Sequence, residues 1–187
     1  MDIEHVRNKI NNARKTNSPI LFEKLFNDTP SWDEIFSHMT HEYTREPKLS
    51  FGDGYIVHGG VAFNREMAYA QIRDASFHNK YKIVSSFFNE VFNSISPGGG
   101  VYLDFIAGRP KVPSHPDPSD NLHWQVIGVT TWEFRKNESQ KDAEIITMNP
   151  GDVVFIPDGL WHSVYSDTPR CGMTIPYSIR EKVAING

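Results

Sequence analysis

From Gly100 onward the chain is written in short apolar or alternating runs, separated by turn residues every eight to twelve positions. That rhythm leaves few folds open. Strands are predicted near Val101–Ile106, Asn121–Ile127, Thr130–Arg135, Glu144–Met148, Val153–Ile156, His162–Ser166 and Gly172–Ser178. Pro116-Asp117-Pro118, Asn149-Pro150-Gly151-Asp152 and Pro157-Asp158-Gly159 supply turns between them. Proline has no amide hydrogen to give a ladder, and glycine reaches backbone angles closed to other residues, so such clusters end strands. Regularly spaced short strands of this kind close into an antiparallel barrel or sandwich.

The first hundred residues read as mostly helical. Ile3, Val6 and Ile10 fall at helical spacing, and Ser31 precedes Trp32-Asp33-Glu34 as an N-cap with acidic residues in the first turn. A third helix is predicted from about Asn79 to Ile95, with Ile83, Phe87, Val91 and Ile95 as its apolar stripe and Pro97-Gly98-Gly99-Gly100 as its stop. One short strand, Tyr55–His58, is predicted between the helices. No linker, repeat or low-complexity tract interrupts the chain. The expectation is a single domain over 1–187, with 1–99 a helical decoration packed on a barrel core at 100–178.

Composition narrows the partners. Nineteen Lys and Arg against 23 Asp and Glu leave a formal net charge of −4, with no basic block. Such a chain is a poor binder of nucleic acid or anionic membrane. No apolar run reaches the ~18 residues of a membrane helix, and the opening MDIEHVRNKINNARK is not a secretory leader. A soluble, cytoplasmic protein is expected, acting on a small molecule or a peptide. Cys171 is the lone cysteine, which excludes an all-thiolate metal site within one chain.

Chemistry concentrates in two places. The run GDVVFIPDGLWHSVYS (151–166) makes a turn, a buried strand and a second tight turn, after which His162 opens the next strand. This delivers one imidazole to a barrel mouth at a fixed height. His115-Pro116-Asp117 lies 47 positions before His162. In an extended segment, residues two apart share a face, so His115 and Asp117 look inward together. Two histidines and a carboxylate form the facial triad of a non-haem Fe(II) site. Three protein ligands leave three positions on an octahedral ion, two for a bidentate co-substrate and one for dioxygen.

With those residues in view, the segment from about Val101 to Tyr177 resembles the cupins and, within them, the Jumonji-C-type 2-oxoglutarate oxygenases. Gly151, Pro157, Gly159 and His162 match the second cupin motif. The first motif fits with substitutions: His115, Asp117 for the second histidine, Asn121 for the usual glutamate, and Gly128. His115, Asp117, Gln125, Gly128 and Trp132 follow the H-x-D…Q-x-x-G…W pattern without a gap. The opening SPILFEKLFNDTPSWDEIF is similar to those enzymes in style only. The resemblance implies a mainly β fold, a double-stranded β-helix with flanking N-terminal helices. It implies Fe(II) held by His115, Asp117 and His162, 2-oxoglutarate as co-substrate, dioxygen, and hydroxylation or demethylation of a substrate. The larger hydroxylases of this group carry a C-terminal dimerisation domain, which is not expected in a sequence that stops at Gly187.

One departure stands out. Thr130 occupies the position where the resemblance calls for a lysine or arginine to pair with the far carboxylate of 2-oxoglutarate. A threonine offers one hydroxyl and no charge. Strand parity places Asn121, His123 and Gln125 on one inward face. Asn121 matches a co-substrate-contacting asparagine, and His123 is a donor or, when protonated, a charge. Arg170, eight residues after His162, is a candidate anchor with a planar guanidinium suited to a carboxylate. Tyr102 is a further donor candidate, and Lys111 stands behind it. Asp104 is expected to face solvent, close enough to the barrel mouth to touch substrate, His38 and His41 to form a polar helix face, His58 to end a strand, and Trp124 and Trp132 to be core or barrel wall. Two rivals remain: a metal-dependent cupin isomerase or lyase that uses no 2-oxoglutarate, which the threonine at 130 favours, and a non-catalytic small-molecule-binding cupin.

Overall fold

The computed structural model describes residues 2–45, 49–52, 55–58, 61–64, 69–72, 78–96, 98–105 and 113–177. Pro97, Ile106, Lys111 and Ser178 lie outside the described residues, as do the side chains of His41 and His58. The order along the chain is α1 (Ile3–Thr16), β1 (Ile20–Phe22), α2 (Trp32–Arg45), β2 (Leu49–Gly52), β3 (Tyr55–His58), β4 (Val61–Asn64), β5 (Tyr69–Ile72), α3 (Asn79–Phe92), β6 (Gly100–Asp104), β7 (Asp120–Ile127), β8 (Thr130–Arg135), β9 (Glu144–Met148), β10 (Val153–Ile156), β11 (Trp161–Tyr165) and β12 (Arg170–Tyr177).

Local chemistry sets the helices. The Asp2 carboxylate accepts the Glu4 and His5 amides at the start of α1, and Asn17 ends it in the left-handed region at φ 46°. Ser31 and Glu34 form a reciprocal capping box at α2: the Ser31 hydroxyl accepts the Glu34 amide at 3.2 Å, and the Ser31 amide donates to Glu34 Oε2 at 2.7 Å. Helix α3 stops at Phe92, with Asn93 left-handed at φ 49°, short of the expected Ile95. Its buried face is Tyr81, Val84, Phe88 and Val91, while Ile83 is 62% and Ile95 85% exposed. Of the expected stripe, Val91 is buried and Phe87 packs against the core, but its two ends leave the covered face for a geometric reason. Steps of four overshoot a 3.6-residue turn by about 40° each, so three of them rotate off the covered face.

Two antiparallel sheets follow. The larger has nine strands in the order β1-β10-β7-β12-β6-β5-β4-β3-β2, and the smaller runs β11-β8-β9. This corrects the reading of 1–99 as helical decoration. Five strands of the large sheet come from that half, and β5 pairs with β6 from Ile72↔Val101 to Tyr69↔Asp104.

Alternation along the strands sorts two layers of core. On β10, Val153 and Phe155 pack in the cluster with Val6 and Ile10 of α1 and Val84 and Phe88 of α3. Val154 and Ile156 instead meet Trp132 and Phe134 of β8. On β7, Leu122, Trp124 and Val126 belong to the helix-side core. Asn121, His123 and Gln125 are buried on the opposite face, between the sheets. Asp104 is also buried, at 5% exposed, rather than solvent-facing, and His38 is buried rather than part of a polar surface. Among the described residues no helix is long and apolar enough to cross a membrane.

Candidate metal centre

Backbone pairing brings the predicted ligands together. His115 and His162 form an isolated antiparallel bridge, each amide donating to the other's carbonyl at 3.1 and 3.0 Å. The Gly159 amide, in the turn before β11, donates to the Asp117 carbonyl at 2.9 Å. Gly159 sits at φ +74°, where a side chain is disfavoured, so the turn draws on glycine's freedom here.

The side chains are aimed as well as placed. His115 Nδ1–H donates to the Pro113 carbonyl and His162 Nδ1–H to the Leu160 carbonyl, both at 2.9 Å. A carbonyl only accepts, so both rings carry the proton on Nδ1 and turn the Nε2 lone pair away. His115 Nε2 lies 3.8 Å from Asp117 Oδ1, and His162 Nε2 lies 3.5 Å from Asp117 Oδ2. One ligand atom from each of the three residues falls within 4.8 Å of the others. Metal bonds of about 2.1 Å place neighbouring donors about 3 Å apart, so small side-chain adjustments close the site on an ion. Asn121 Nδ2 donates to Asp117 Oδ2 at 2.6 Å and fixes the carboxylate. Burial holds the His162 imidazole below its usual pKa, against the Leu160 hydrogen bond and Asp117, which favour the charged form. The ring is thereby kept neutral for a metal.

The triad opens on a cavity of about 240 Å³ between the sheets, lined also by Tyr102, His123, Trp132, Arg170 and Thr174. Thr130 does not line it. Its hydroxyl donates to Gln125 Oε1 at 3.0 Å and accepts Trp132 Nε1–H at 3.2 Å, and the residue is wholly buried. The expectation of a co-substrate contact from Thr130 is therefore corrected: this position braces β8 against β7.

Arg170 does reach the cavity, but it is paired. Its Nε donates to Asp104 Oδ2 at 2.7 Å, with both side chains nearly fully buried. Arg170 Nη1 has no protein partner, and neither has His123 Nε2. His123 Nδ1 meets Thr174 Oγ1 at 2.9 Å. Burial, helped by the Arg170 charge, pushes the His123 pKa down to about 3, so His123 offers a neutral donor rather than a charge. The Tyr102 hydroxyl accepts Gln71 Nε2–H at 3.2 Å.

Sequence reasoning missed Thr174, and placed Asp104 near the mouth without its pairing to Arg170. Both lay within reach of parity: Asp104 is two residues from Tyr102, and Thr174 is four from Arg170, so each shares a face with a residue already placed inward.

No protein-family model matches the chain. Among solved structures it is similar to the Escherichia coli ribosomal oxygenase YcfD in complex with cobalt and succinic acid, with a TM-score of 0.65 and 18% identity. The match covers 88% of this chain and 49% of that one. The chain shares the mainly β, jelly-roll fold of that oxygenase. The same oxygenase in complex with cobalt and 2-oxoglutarate matches this jelly roll with a TM-score of 0.64 and 19% identity, over 88% and 49% of the two chains. Among curated proteins, the uncharacterised YxbC of Bacillus subtilis is 27% identical over 96 residues, covering 34% of this chain and 29% of that protein. The chain thus spans about half the length of the solved oxygenase and less of the curated relative.

Proposed function

We propose that this chain is an Fe(II)- and 2-oxoglutarate-dependent dioxygenase, a hydroxylase acting on a small-molecule or peptide substrate in the cytoplasm. One observation carries the reading: two Nε2 lone pairs and a carboxylate, each locked by a hydrogen bond behind it, converge on a cavity between the sheets. Hard oxygen and imidazole donors in a facial set suit Fe(II) with open positions. Fe(II) with 2-oxoglutarate and dioxygen supplies the oxidising chemistry when bound.

The chain's own residues do the rest. His115, Asp117 and His162 hold the ion. Arg170 Nη1 and His123 Nε2 are buried donors without partners, and a far carboxylate would satisfy both. At about 240 Å³ the cavity is below the roughly 300–1,000 Å³ of pockets for drug-sized ligands, so it suits a five-carbon co-substrate. Trp132, Ile156 and Val164 give it an apolar wall, which would help to exclude water once co-substrate and substrate are bound. A more open groove of about 440 Å³ shares Tyr102, Asp117, Asn121 and Thr174 with that cavity and continues past Gln71 and Gly98. Substrate would lie there, beside the ion and apart from the co-substrate.

A second reading has one observation in its favour. The Arg170 charge is already matched by Asp104, so among the described residues lining the cavity no unbalanced cation faces a dianion. That favours a metal cupin of isomerase or lyase type, without 2-oxoglutarate. Anaerobic calorimetry on Mn(II)-loaded protein separates the two. Binding of 2-oxoglutarate at micromolar to millimolar concentration supports the dioxygenase; metal binding without 2-oxoglutarate binding supports the cupin of the other class.

A further inference from the structure

We propose that Arg14, on α1, is a positioning residue of the metal centre, acting through Asp120 on the turns that carry Asp117 and His162. The inference rests on the metal-binding reading above and adds a residue 106 positions away in sequence.

The connection is a chain of short contacts. Arg14 Nε donates to Asp120 Oδ2 at 2.7 Å, and the Asp120 side chain is 1% exposed. The other oxygen, Asp120 Oδ1, accepts the Asp158 amide at 2.9 Å. The next amide, that of Gly159, donates to the Asp117 carbonyl at 2.9 Å. Two adjacent amides of the turn leading to His162 are thus bound to the segment that carries Asp117. Asn121, which orients the Asp117 carboxylate, follows Asp120 directly in β7.

Arg14 is itself held in place. Its guanidinium lies over the rings of Phe92 and Phe155, 5.1 and 5.9 Å from their centroids. It does not line the cavity. Without it, Asp120 would be a buried carboxylate facing only one backbone amide. Such a group turns toward water, and that change loosens its hold on Asp158. His115 and His162 are locked to each other by reciprocal backbone bonds, so the ligand that would drift is Asp117, whose side chain is 32% exposed.

The test uses Co(II) alone, titrated calorimetrically into metal-free protein, with the Co(II) visible spectrum recorded alongside. Arg14→Leu keeps an apolar contact with Phe92 and Phe155 and removes donor and charge. Its Co(II) affinity is expected to fall about tenfold, the lower end of losses at residues that orient ligands, with an altered Co(II) spectrum. Arg14→Lys should recover part of the loss. Asp120→Asn should weaken Co(II) similarly, and combining it with Arg14→Leu should add little. If Arg14→Leu does not fold, Arg14→Lys and Asp120→Asn carry the test. Unchanged Co(II) affinity and spectrum in the folded variants, with only the thermal midpoint lowered, would overturn the proposal and leave the pair a stabilising contact. Failure of the unsubstituted protein to bind Co(II) would instead overturn the metal-centre reading itself.

Discussion

At the scale of residues, both ligand histidines use one ring nitrogen to aim the other, and this makes their removal selective. His115→Ala and His162→Ala leave the backbone bridge between the two segments in place. Each should abolish stoichiometric metal binding while circular dichroism stays unchanged. Arg170 is a different case. Truncating it strands the Asp104 carboxylate in the interior, which typically costs about 3–5 kcal/mol. Arg170→Lys is the cleaner probe, since it keeps a cation beside Asp104 and withdraws the spare guanidinium nitrogen. It should weaken 2-oxoglutarate by about tenfold or more, with metal affinity held, as calorimetry would show.

His123 gives a pH signature. Its pKa is held at about 3 against the usual 6.5, with Arg170 and His162 the charged and titratable groups that press on it. Above pH ~6.5 it is neutral whether the chain is folded or not. Below that, the unfolded chain takes a proton that the folded one refuses, so stability falls as pH drops toward 3. The slope is about 1.4 kcal/mol per pH unit for one such group. Urea unfolding of the metal-free protein from pH 7 to pH 4 should show at least this slope, and His123→Gln should reduce it, leaving the share of His162 and His78, whose pKa values burial also lowers. A profile that His123→Gln leaves unaltered would place the sensitivity elsewhere. The triad was legible in the sequence because its spacing is local to two turns. The partner of Arg170 was not, because Asp104 is 66 residues away and meets it only through the register of β6 and β12.

At the scale of elements, the second half of the chain was legible nearly strand by strand. Thr130–Arg135, Glu144–Met148 and Val153–Ile156 fall where the turn residues bound them. Strands β1, β2, β4 and β5 were not seen. Each has three or four residues, too few to show a period, and what makes them strands is pairing with elements distant or equally short: β1 with β10, and β2 to β5 in a run that ends on β6. Helix α3 shows a different error, a real helix with its face half assigned: Phe87 and Val91 meet the core, Ile83 and Ile95 do not. The corrected face makes a sharp contrast. Ile83→Lys on the exposed side should change stability by less than about 0.5 kcal/mol, whereas Phe88→Ala in the core should cost about 3–5 kcal/mol. Chemical denaturation of the two variants checks the assignment.

At the scale of the whole molecule, the first hundred residues are part of the sheet and the core rather than an ornament on them. The cluster holding Val153 and Phe155 also holds Val6, Ile10, Phe22, Ile35 and Ile72. A fragment beginning at Gly100 would lose that cover and leave β6 with an open edge. We expect it to aggregate or to show no cooperative thermal transition. A fragment that melts cooperatively and binds metal normally would mean that 100–178 is a domain by itself.

The central claim is that one cavity takes both Fe(II) and 2-oxoglutarate. The measurement that tests it most directly is an anaerobic titration of the Fe(II)-loaded protein with 2-oxoglutarate, followed by the visible metal-to-ligand charge-transfer band. The account predicts a band that saturates at one equivalent per chain, is absent in His162→Ala, and needs more co-substrate in Arg170→Lys. Stoichiometric Fe(II) binding with no band at millimolar 2-oxoglutarate would contradict it.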